Sequence, residues 1–266
     1  MPAAVRRARM LNALRDREFL RVHDLGEMFG VSEVTVRGDL DHLAAQGEVR
    51  RVHGGAMSVT RAPVERSFED ASAANVAEKQ AIGAAAAALV SSGDLVALDV
   101  GTTAMAVAGA LRRREELGSV MVLTNGLNIA LELERAHPRV TVVVTGGTLR
   151  PLQHSLVQPL ADRLLAELNP DLAIVGCNGI DAERGVTNIN LPEAEVKRGM
   201  LNAARRRVIV ADGSKLGAVA PAHLCDAAEV DLVLTGGSAS SQSVSALRGL
   251  GVGVEVVNRS HHKEEL

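Results

Sequence analysis

The stretch VSEVTVRGDL, residues 31–40, decides how the first sixty residues fold. Ser32 is of the type that caps a helix N-terminus, and the apolar residues after it recur at helical spacing. We therefore predict a helix from Glu33 to about Ala45, ended by Gly47. In a helix-turn-helix, a helix in this position lies in the DNA major groove, and its first turns meet the base edges.

The segments around this helix complete a recognisable pattern. Residues 2–16 carry apolar positions at helical spacing, and a short second helix is expected between an N-cap at Asp24 and Gly30. Residues 48–53 alternate as a strand does, and a glycine turn follows them. Three helices and a small β-ribbon in so short a segment predict a winged helix-turn-helix domain over residues 1–57.

Eight side chains of this domain are candidates for contact with duplex DNA. Those on the first turns of the predicted helix would reach base edges, and Arg37 is long enough to reach a guanine or a phosphate. Those on the wing, the ribbon that follows, would approach phosphates or the minor groove. The alternative is a helical hairpin whose charges are merely solvated. The candidates are Ser32, Glu33, Thr35, Val36, Arg37, Arg50, Arg51 and His53.

Charge alone does not argue for nucleic acid. The chain has a net charge of −3, and residues 1–57 hold nine arginines against eight acidic residues. Aromatic residues make up 1% of the chain, which argues against recognition of single strands by base stacking. The prediction of a double-stranded DNA operator as partner therefore rests on the sequence pattern.

Composition narrows the remaining classes. A length of 266 residues with 47% hydrophobic residues predicts two unequal domains with aliphatic cores. Cys177 and Cys225 are too few for a disulfide framework or a cysteine-rich zinc site, and the eight histidines show no metal-ligand spacing, so no metal or cofactor is expected. The sequence shows neither a secretory signal nor a membrane span, which predicts a cytoplasmic protein without a membrane partner.

From Glu78 onward, apolar runs alternate with helix-like segments. Continuous β-branched runs between helices predict a Rossmann-like α/β fold with a mostly parallel sheet that is buried on both faces. We predict an effector-sensing domain over residues 78–258, preceded by a linker over residues 58–77 and followed by a disordered polar tail over residues 259–266. The apolar runs are residues 95–98, 120–123, 140–144, 172–175, 208–210, 232–234 and 252–257.

Small polar residues and glycines follow five of these predicted strands, so we expect them at one edge of the sheet, where open α/β sheets bind ligands. Backbone amides and hydroxyls at a helix N-terminus form an anion site, and residues 101–103 open a predicted helix. Lysine is rare here beside arginine, and its compact ammonium suits a phosphate in a tight pocket. Lys197 has the alternative of an ordinary surface position. The candidate effector contacts are Asp99, Gly101, Thr102, Thr103, Thr124, Asn125, Gly146, Gly147, Asp181, Lys197 and Lys215.

Both halves resemble the DeoR family of bacterial transcription regulators. Residues 6–56 resemble its DNA-binding domain through VSEVTVRGDL and the wing sequence RVHGGA. Residues 78–258 resemble its sensor domain through DVGTT, LTNGLNIA, TGGTLRPLQHSLVQPLA, GCNGIDAERGVTN, EAEVKRGM and ADGSKLG. That sensor domain is similar in fold to phosphosugar isomerases such as ribose-5-phosphate isomerase. The resemblance implies a phosphate loop at Gly101–Thr103 and sugar contacts near Thr124, Asn125, Asp181 and Lys215.

Three residues depart from the family's pattern. Gly38 stands where the recognition helix usually carries a second basic residue, which removes a phosphate contact. A glycine inside a helix also costs about 1 kcal/mol relative to alanine. Gly236 stands where an aspartate is usual and Gln158 where a small residue is usual, and both changes bear on the choice of effector.

Three functions fit this sequence to different degrees. We predict a homo-oligomeric repressor of carbohydrate genes, because two DNA-binding heads on one operator raise the effective concentration, with a phosphorylated sugar as effector. The alternative is a phosphosugar isomerase with an appended DNA-binding domain, in which Asp181 or Glu193 would be the general base. A structural adaptor explains neither half. The spacing of Gly101 and Gly109 does not match a dinucleotide-binding motif.

Overall fold

The computed structural model describes residues 2–17, 19–58 and 65–257. The chain divides into two units between Val64 and Glu65. The tail predicted over residues 259–266 lies outside the described residues. In the described ranges, no helix is long and apolar enough to cross a membrane.

The first unit consists of three helices and a three-stranded antiparallel sheet, which confirms the winged helix-turn-helix. Its elements are α1 (Ala3–Arg17), β1 (Phe19–Arg21), α2 (Val22–Phe29), α3 (Glu33–Ala45), β2 (Val49–Val52) and β3 (Gly55–Ser58), with strand order β1-β3-β2. Strand β1 was not predicted. Asp24 lies within the first turn of α2, and Arg21 occupies the N-cap position expected for it.

Helix α3 is held in place from both sides. The Ser32 hydroxyl accepts a hydrogen bond from the Thr35 amide at 3.3 Å, as an N-cap does. The opposite face of α3 buries Val36 and Leu40 in the apolar core of this unit. Asp39, which is also buried, pairs with two arginines of α1, Arg6 at 2.6 Å and Arg7 at 3.0 Å. These contacts fix α3 against α1 and leave its outer face open.

The second unit begins with two helices and continues as alternating strands and helices. Its strands are β4 (Leu95–Leu98), β5 (Val120–Thr124), β6 (Val140–Val144), β7 (Thr148–Arg150), β8 (Ser155–Val157), β9 (Leu172–Gly176), β10 (Gly179–Asp181), β11 (Gly185–Asn188), β12 (Arg206–Val210), β13 (Ala222–Cys225), β14 (Leu232–Gly236) and β15 (Gly253–Val257). Its helices are α4 (Phe68–Ser72), α5 (Val76–Ala88), α6 (Thr102–Arg113), α7 (Leu127–Glu134), α8 (Leu160–Ala166), α9 (Leu191–Ala203) and α10 (Ser241–Gly249).

Seven strands form one parallel sheet in the order β15-β14-β12-β9-β4-β5-β6. These are the seven runs predicted from the sequence, so the Rossmann-like α/β fold is confirmed. The chain enters at β4, adds β5 and β6 on one side, and then crosses to β9 and continues on the other side. The order therefore reverses between β4 and β9, and such a reversal leaves a crevice at the carboxyl ends of the strands.

Both faces of this sheet are covered by helices. Within β4, Val96 and Leu98 point to one apolar cluster, and Ala97 points to the other. Helices α5, α6 and α7 pack on the first face, and α8, α9 and α10 pack on the second. Two small antiparallel sheets, β7-β8 and β10-β11-β13, lie beside the main one. They were not predicted, because strands of three or four residues leave little periodicity.

The second half of the predicted linker is structured. Helix α4 and the start of α5 fall within residues 58–77, and the residues from Glu65 onward belong to the second unit. Ser67 caps α4, with its hydroxyl accepting from the Asp70 amide at 3.1 Å. A helix of five residues is too short to show a period in the sequence, which explains the difference.

Candidate functional site

The predicted base-contacting residues of α3 do not share one face. Ser32 and Glu33 are exposed, Thr35 is half-buried, and the Arg37 side chain is 55% exposed. Val36 is fully buried in the core, so it cannot reach a base edge and is not a DNA contact, contrary to the prediction. The helical spacing of Val36, Leu40 and Leu43 is a core spacing, and that pattern was visible in the sequence.

Two residues that were not among the candidates lie on the open face of α3. Val34 is 76% exposed, although it is apolar and stands in the first turn. Gly38 follows one turn later, and a Cβ built there would meet nothing within 4 Å. Next to them, Arg37 donates to the Glu33 carboxylate at 2.8 Å. The open face therefore combines an ion pair, an exposed isopropyl group and a position without a side chain.

The three wing candidates differ in availability. The Arg51 guanidinium donates to the Arg37 carbonyl oxygen and pairs with Asp41, each at 3.2 Å, so it ties the wing to α3. Arg50 is exposed, with one nitrogen 3.7 Å from the Met57 sulfur. His53 is exposed as well. Arg50 and His53 are thus free to face a phosphate, whereas Arg51 must first exchange partners.

The parallel sheet brings the five predicted loops to one edge. Because β4, β5, β6, β9 and β12 run in the same direction, the segments that follow them all leave at their carboxyl ends. These segments are residues 99–103, 124–126, 145–147, 176–181 and 212–215. The two segments that follow β4 and β9 flank the point where the strand order reverses.

A buried ion pair occupies that point. The Lys197 ammonium, on α9, lies 2.5 Å from Asp99 Oδ2 and donates to the Gly176 carbonyl oxygen at 3.0 Å. Asp99 Oδ2 also accepts from the Gly176 amide at 3.0 Å, whereas Oδ1 is buried and has no hydrogen-bond partner among the described residues. Lys197 is therefore no ordinary surface residue. Burial raises the pKa of Asp99, and Lys197 opposes that rise.

The charge of Lys197 is retained despite its burial. Burial alone lowers the pKa of this ammonium, but the carboxylates of Asp99 and Glu193 outweigh burial and raise it above the ordinary value. The crevice between β4 and β9 thus contains a protonated ammonium that is paired with Asp99.

Helix α6 begins next to this pair without a capping side chain. Its N-cap residue, Gly101, has φ +112°, a conformation that side chains rarely adopt, and no side chain in the described residues caps the helix. Thr102 and Thr103 are half-buried in its first turn. A cleft of about 560 Å³ opens there, lined by Thr102, Lys79 and seven other residues of α4, α5 and α6. Uncapped amides of this kind bind anions.

Thr124, Asn125 and the two glycines of the neighbouring loops serve the fold first. The Thr124 hydroxyl accepts from the Gly126 amide at 3.0 Å, and Asn125 Nδ2 donates to the Leu156 carbonyl oxygen at 3.2 Å. Asn125 Oδ1 is buried without a hydrogen-bond partner in the described chain. Gly147, like Gly146, has a positive φ, and a Cβ at Gly147 would overlap the backbone of β8.

Asp181 ends β10, in the segment after β9, and Lys215 lies in the segment after β12. Asp181 Oδ1 accepts from the amides of Glu183 and Arg184, so one oxygen holds the turn between β10 and β11. Lys215 is half-buried in a short 3₁₀ turn, Gly213–Lys215.

Burial raises the pKa of the nearby Cys177 to about 12, although Lys197 and Lys215 both oppose the rise. That thiol therefore stays protonated at neutral pH.

The sequence did not predict a second charged cluster beside the crevice. Arg150, at the end of β7, donates to Glu193 at 2.7 Å and also to both oxygens of Glu65. Glu193 is buried and accepts from the Ser155 hydroxyl at 2.5 Å as well. Burial raises the pKa of Glu65, with the Arg150 hydrogen bond opposing. These partners are 43 and 85 residues apart, so no local pattern could reveal them.

The same cluster fastens the first residues of the second unit. Besides Glu65, the Arg66 carbonyl oxygen accepts from Gln153 at 2.6 Å, and Glu69 lies 2.7 Å from His154. The ring of Phe68 stacks edge-on against His154, with centroids 5.6 Å apart. Residues 65–69 therefore lie along residues 150–154, and one of these contacts, Arg150, reaches the crevice through Glu193.

The departure at Gly236 has a steric explanation. The Glu78 carboxylate accepts from the Gly213 amide at 3.0 Å and from the Ser238 hydroxyl at 2.8 Å. In this position it occupies the space that a Cβ at residue 236 would need. Gly236 therefore makes room for a side chain from α5.

The chain combines a winged helix-turn-helix with a Rossmann-like sheet. An uncapped helix N-terminus suited to an anion lies where the strand order reverses. This combination is that of a ligand-responsive DNA-binding regulator. The family comparison is specific. A model of the DeoR-like helix-turn-helix domain matches residues 6–62, and a model of the DeoR C-terminal sensor domain matches residues 74–237. The chain belongs to the DeoR family of transcriptional regulators, as its sequence motifs predicted.

Two relatives with similar sequences agree with this assignment. The chain is 35% identical to a putative aga operon transcriptional repressor of Escherichia coli O157:H7, over 95% of this chain and 93% of that protein. It is 34% identical to the regulator GlpR of Haloferax volcanii, over 96% and 98% of the two chains. Among solved structures, full-length SorC of Klebsiella pneumoniae covers 91% of this chain and 97% of its own, with 10% identity and a TM-score of 0.43.

Proposed function

We propose that this regulator represses genes of carbohydrate metabolism and that a phosphorylated sugar controls it. The observation that carries the proposal is the uncapped N-terminus of α6, which lies at the reversal of strand order beside the buried Lys197 ammonium. The name of one relative supports this class of effector: it is the glycerol-3-phosphate regulon repressor of Escherichia coli, 29% identical over 85% of this chain.

The chemistry of the edge suits a phosphate with a polar body. The phosphate would accept from the first-turn amides of α6 and from the hydroxyls of Thr102 and Thr103. Lys215, half-buried and without an ion pair in the described residues, would supply a neutralising charge. Asn125 Oδ1 and the second oxygen of Asp181 would accept from sugar hydroxyls. Asn125 Oδ1 is buried without a hydrogen-bond partner in the described residues, and a sugar hydroxyl would supply one.

The same geometry supports binding without turnover. An isomerase needs a base with a free carboxylate beside the sugar carbons. Glu193 is engaged by Arg150 and Ser155, and Asp181 accepts two turn amides with one oxygen, which leaves the other to hold a sugar hydroxyl. We further propose that the chain acts as a homo-oligomer in the cytoplasm, since a single winged helix offers few phosphate contacts and two heads bind one operator more tightly.

A thermal-shift panel on the full chain tests the effector class. It should include sugar phosphates, the matching unphosphorylated sugars and inorganic phosphate, because a ligand that binds the native state raises the melting temperature. We expect stabilisation by at least one sugar phosphate, with little from its parent sugar, and a change in operator affinity at the same concentration. Stabilisation by unphosphorylated ligands alone would refute the proposal. Accumulation of an isomerised product that depends on Asp181 would favour the enzyme.

A further inference from the structure

The outer face of α3 contains one apolar side chain that the fold does not use. Val34 is 76% exposed and takes no part in the hydrophobic core, which is built from the opposite face through Val36, Leu40 and Leu43. An isopropyl group in water is unfavourable by the hydrophobic effect, and here no packing within the unit removes it from water.

The polar residues around Val34 are already engaged with one another. The Ser32 and Thr35 hydroxyls lie 3.0 Å apart at the helix cap, and Arg37 pairs with Glu33. Residue 38 lies one helical turn after Val34 on the same face, and it is a glycine with open space around it. A surface that approaches α3 can therefore reach the Val34 methyl groups without displacing a side chain at position 38.

We propose that Val34 reads a thymine in the operator through the thymine C5-methyl group. In the major groove the only apolar group on a base edge is that methyl, and small apolar side chains in the first turns of a recognition helix are suited to contact it. Gly38 permits the close approach. The inference rests on the DNA-binding assignment of the family and is independent of the effector.

Deoxyuridine substitution provides a direct test, because uracil differs from thymine only by the missing methyl. Full-length protein first selects tight duplexes from a random library. Each thymine of the consensus is then replaced by deoxyuridine, and affinity is measured at fixed salt. At the contacted position we expect the wild-type affinity to fall about fourfold, the effect of one methyl group leaving an apolar contact.

The variant Val34→Ala completes a double-mutant cycle with the base change. It should bind the thymine duplex about as weakly as the wild type binds the deoxyuridine duplex, and it should no longer distinguish the two. Val5→Ala makes the same change at a 46% exposed valine on α1 and should keep the full fourfold preference. Circular dichroism and the melting temperature check that both variants fold.

Two results would overturn the proposal. One is a wild-type affinity that is insensitive to deoxyuridine at every thymine of the selected duplex. The other is a Val34→Ala variant that retains the wild-type preference for thymine, since another side chain would then contact the methyl. Because the measurement contains no effector, failure here leaves the proposed sugar phosphate untouched.

Discussion

The Lys197 ammonium and the Asp99 carboxylate lie 2.5 Å apart, almost completely buried, and join α9 to the loop after β4 across 98 residues of sequence. Removing one member leaves the other charge buried and uncompensated, which typically costs 3–5 kcal/mol, so Lys197→Met should destabilise the second unit by about that amount. The measurement is urea unfolding followed by circular dichroism, since the chain has no tryptophan or tyrosine.

Two further variants distinguish the effect of breaking the ion pair from the effect of losing any lysine at this edge of the sheet. Lys215→Met removes a half-buried lysine at the same edge of the sheet, and it should cost less than about 1 kcal/mol. The double variant Lys197→Met with Asp99→Asn leaves no buried charge, so it should recover part of the loss. A Lys197→Met variant as stable as the wild type would show that the pair does not support the fold.

Arg37→Ala tests base reading by the ion-paired arginine of α3. If Arg37 leaves Glu33 for a guanine, its removal should cost about 1–3 kcal/mol of specific affinity while binding to unrelated duplex DNA changes little. Affinities are compared for the selected operator and an unrelated duplex at several salt concentrations. A uniform loss on both duplexes, with a salt slope reduced by about one, would instead make Arg37 a phosphate contact.

Thr102→Val tests the anion site without changing the size of the side chain. Hydrogen bonds to charged groups contribute about 1.5–3 kcal/mol, so the effector found in the thermal-shift panel should bind about tenfold more weakly or worse. Operator binding without effector should be unchanged, because Thr102 lies in the sensor unit. Thr141→Val makes the same change at an exposed position of β6 and serves as the control. Equal effector affinity in both variants would place the phosphate elsewhere.

The carboxyl of Glu65 should titrate above 4.5, because burial raises its pKa. A folded-state pKa above the unfolded value means that the stabilising contribution of this group is complete below about pH 4.5 and is lost as the pH rises through the folded value. Arg150→Met removes the hydrogen bond that opposes the rise, so the pKa should increase further. Carboxyl carbon shifts in an NMR titration report both values, and a Glu65 pKa at or below 4.5 would contradict the structure.

The oligomeric state is open to a simple measurement. Light scattering on the full chain at micromolar concentration should give at least twice the monomer mass of 27.9 kDa. A monomer that binds the operator with full affinity would contradict the proposal that two DNA-binding domains bind one operator together.

The sequence predicted those parts of the molecule that depend on local pattern. The seven strands of the parallel sheet and helix α3 follow from apolar periodicity and a capping serine, and both were located to within about two residues. The loops after β4 and β9 were placed correctly because parallel strands end at one edge. Periodicity also marks the buried face of α3 through Val36, Leu40 and Leu43, but the core residue Val36 was nevertheless taken for a DNA contact.

The remaining part of the site depends on contacts between distant segments. Arg150, Glu65 and Glu193 meet only in the folded chain, and each alone reads as an ordinary charged residue. Asp181 was expected in the loop after β9, but it lies at the end of β10, and one of its oxygens holds the turn between β10 and β11. Tertiary packing decides which of these side chains meet, and the local sequence pattern does not predict that packing.

The shared space of Glu78 and Gly236 makes these two positions conditional on each other. An aspartate at 236 would displace Glu78 from the amide of Gly213 and the hydroxyl of Ser238. Gly236→Asp should therefore destabilise the chain that contains Glu78 and be tolerated when residue 78 is shorter. The effects of substitutions at these two positions will not add. A side chain at position 236 of this chain therefore needs a shorter residue at position 78 first, and any redesign of this loop has to follow that order.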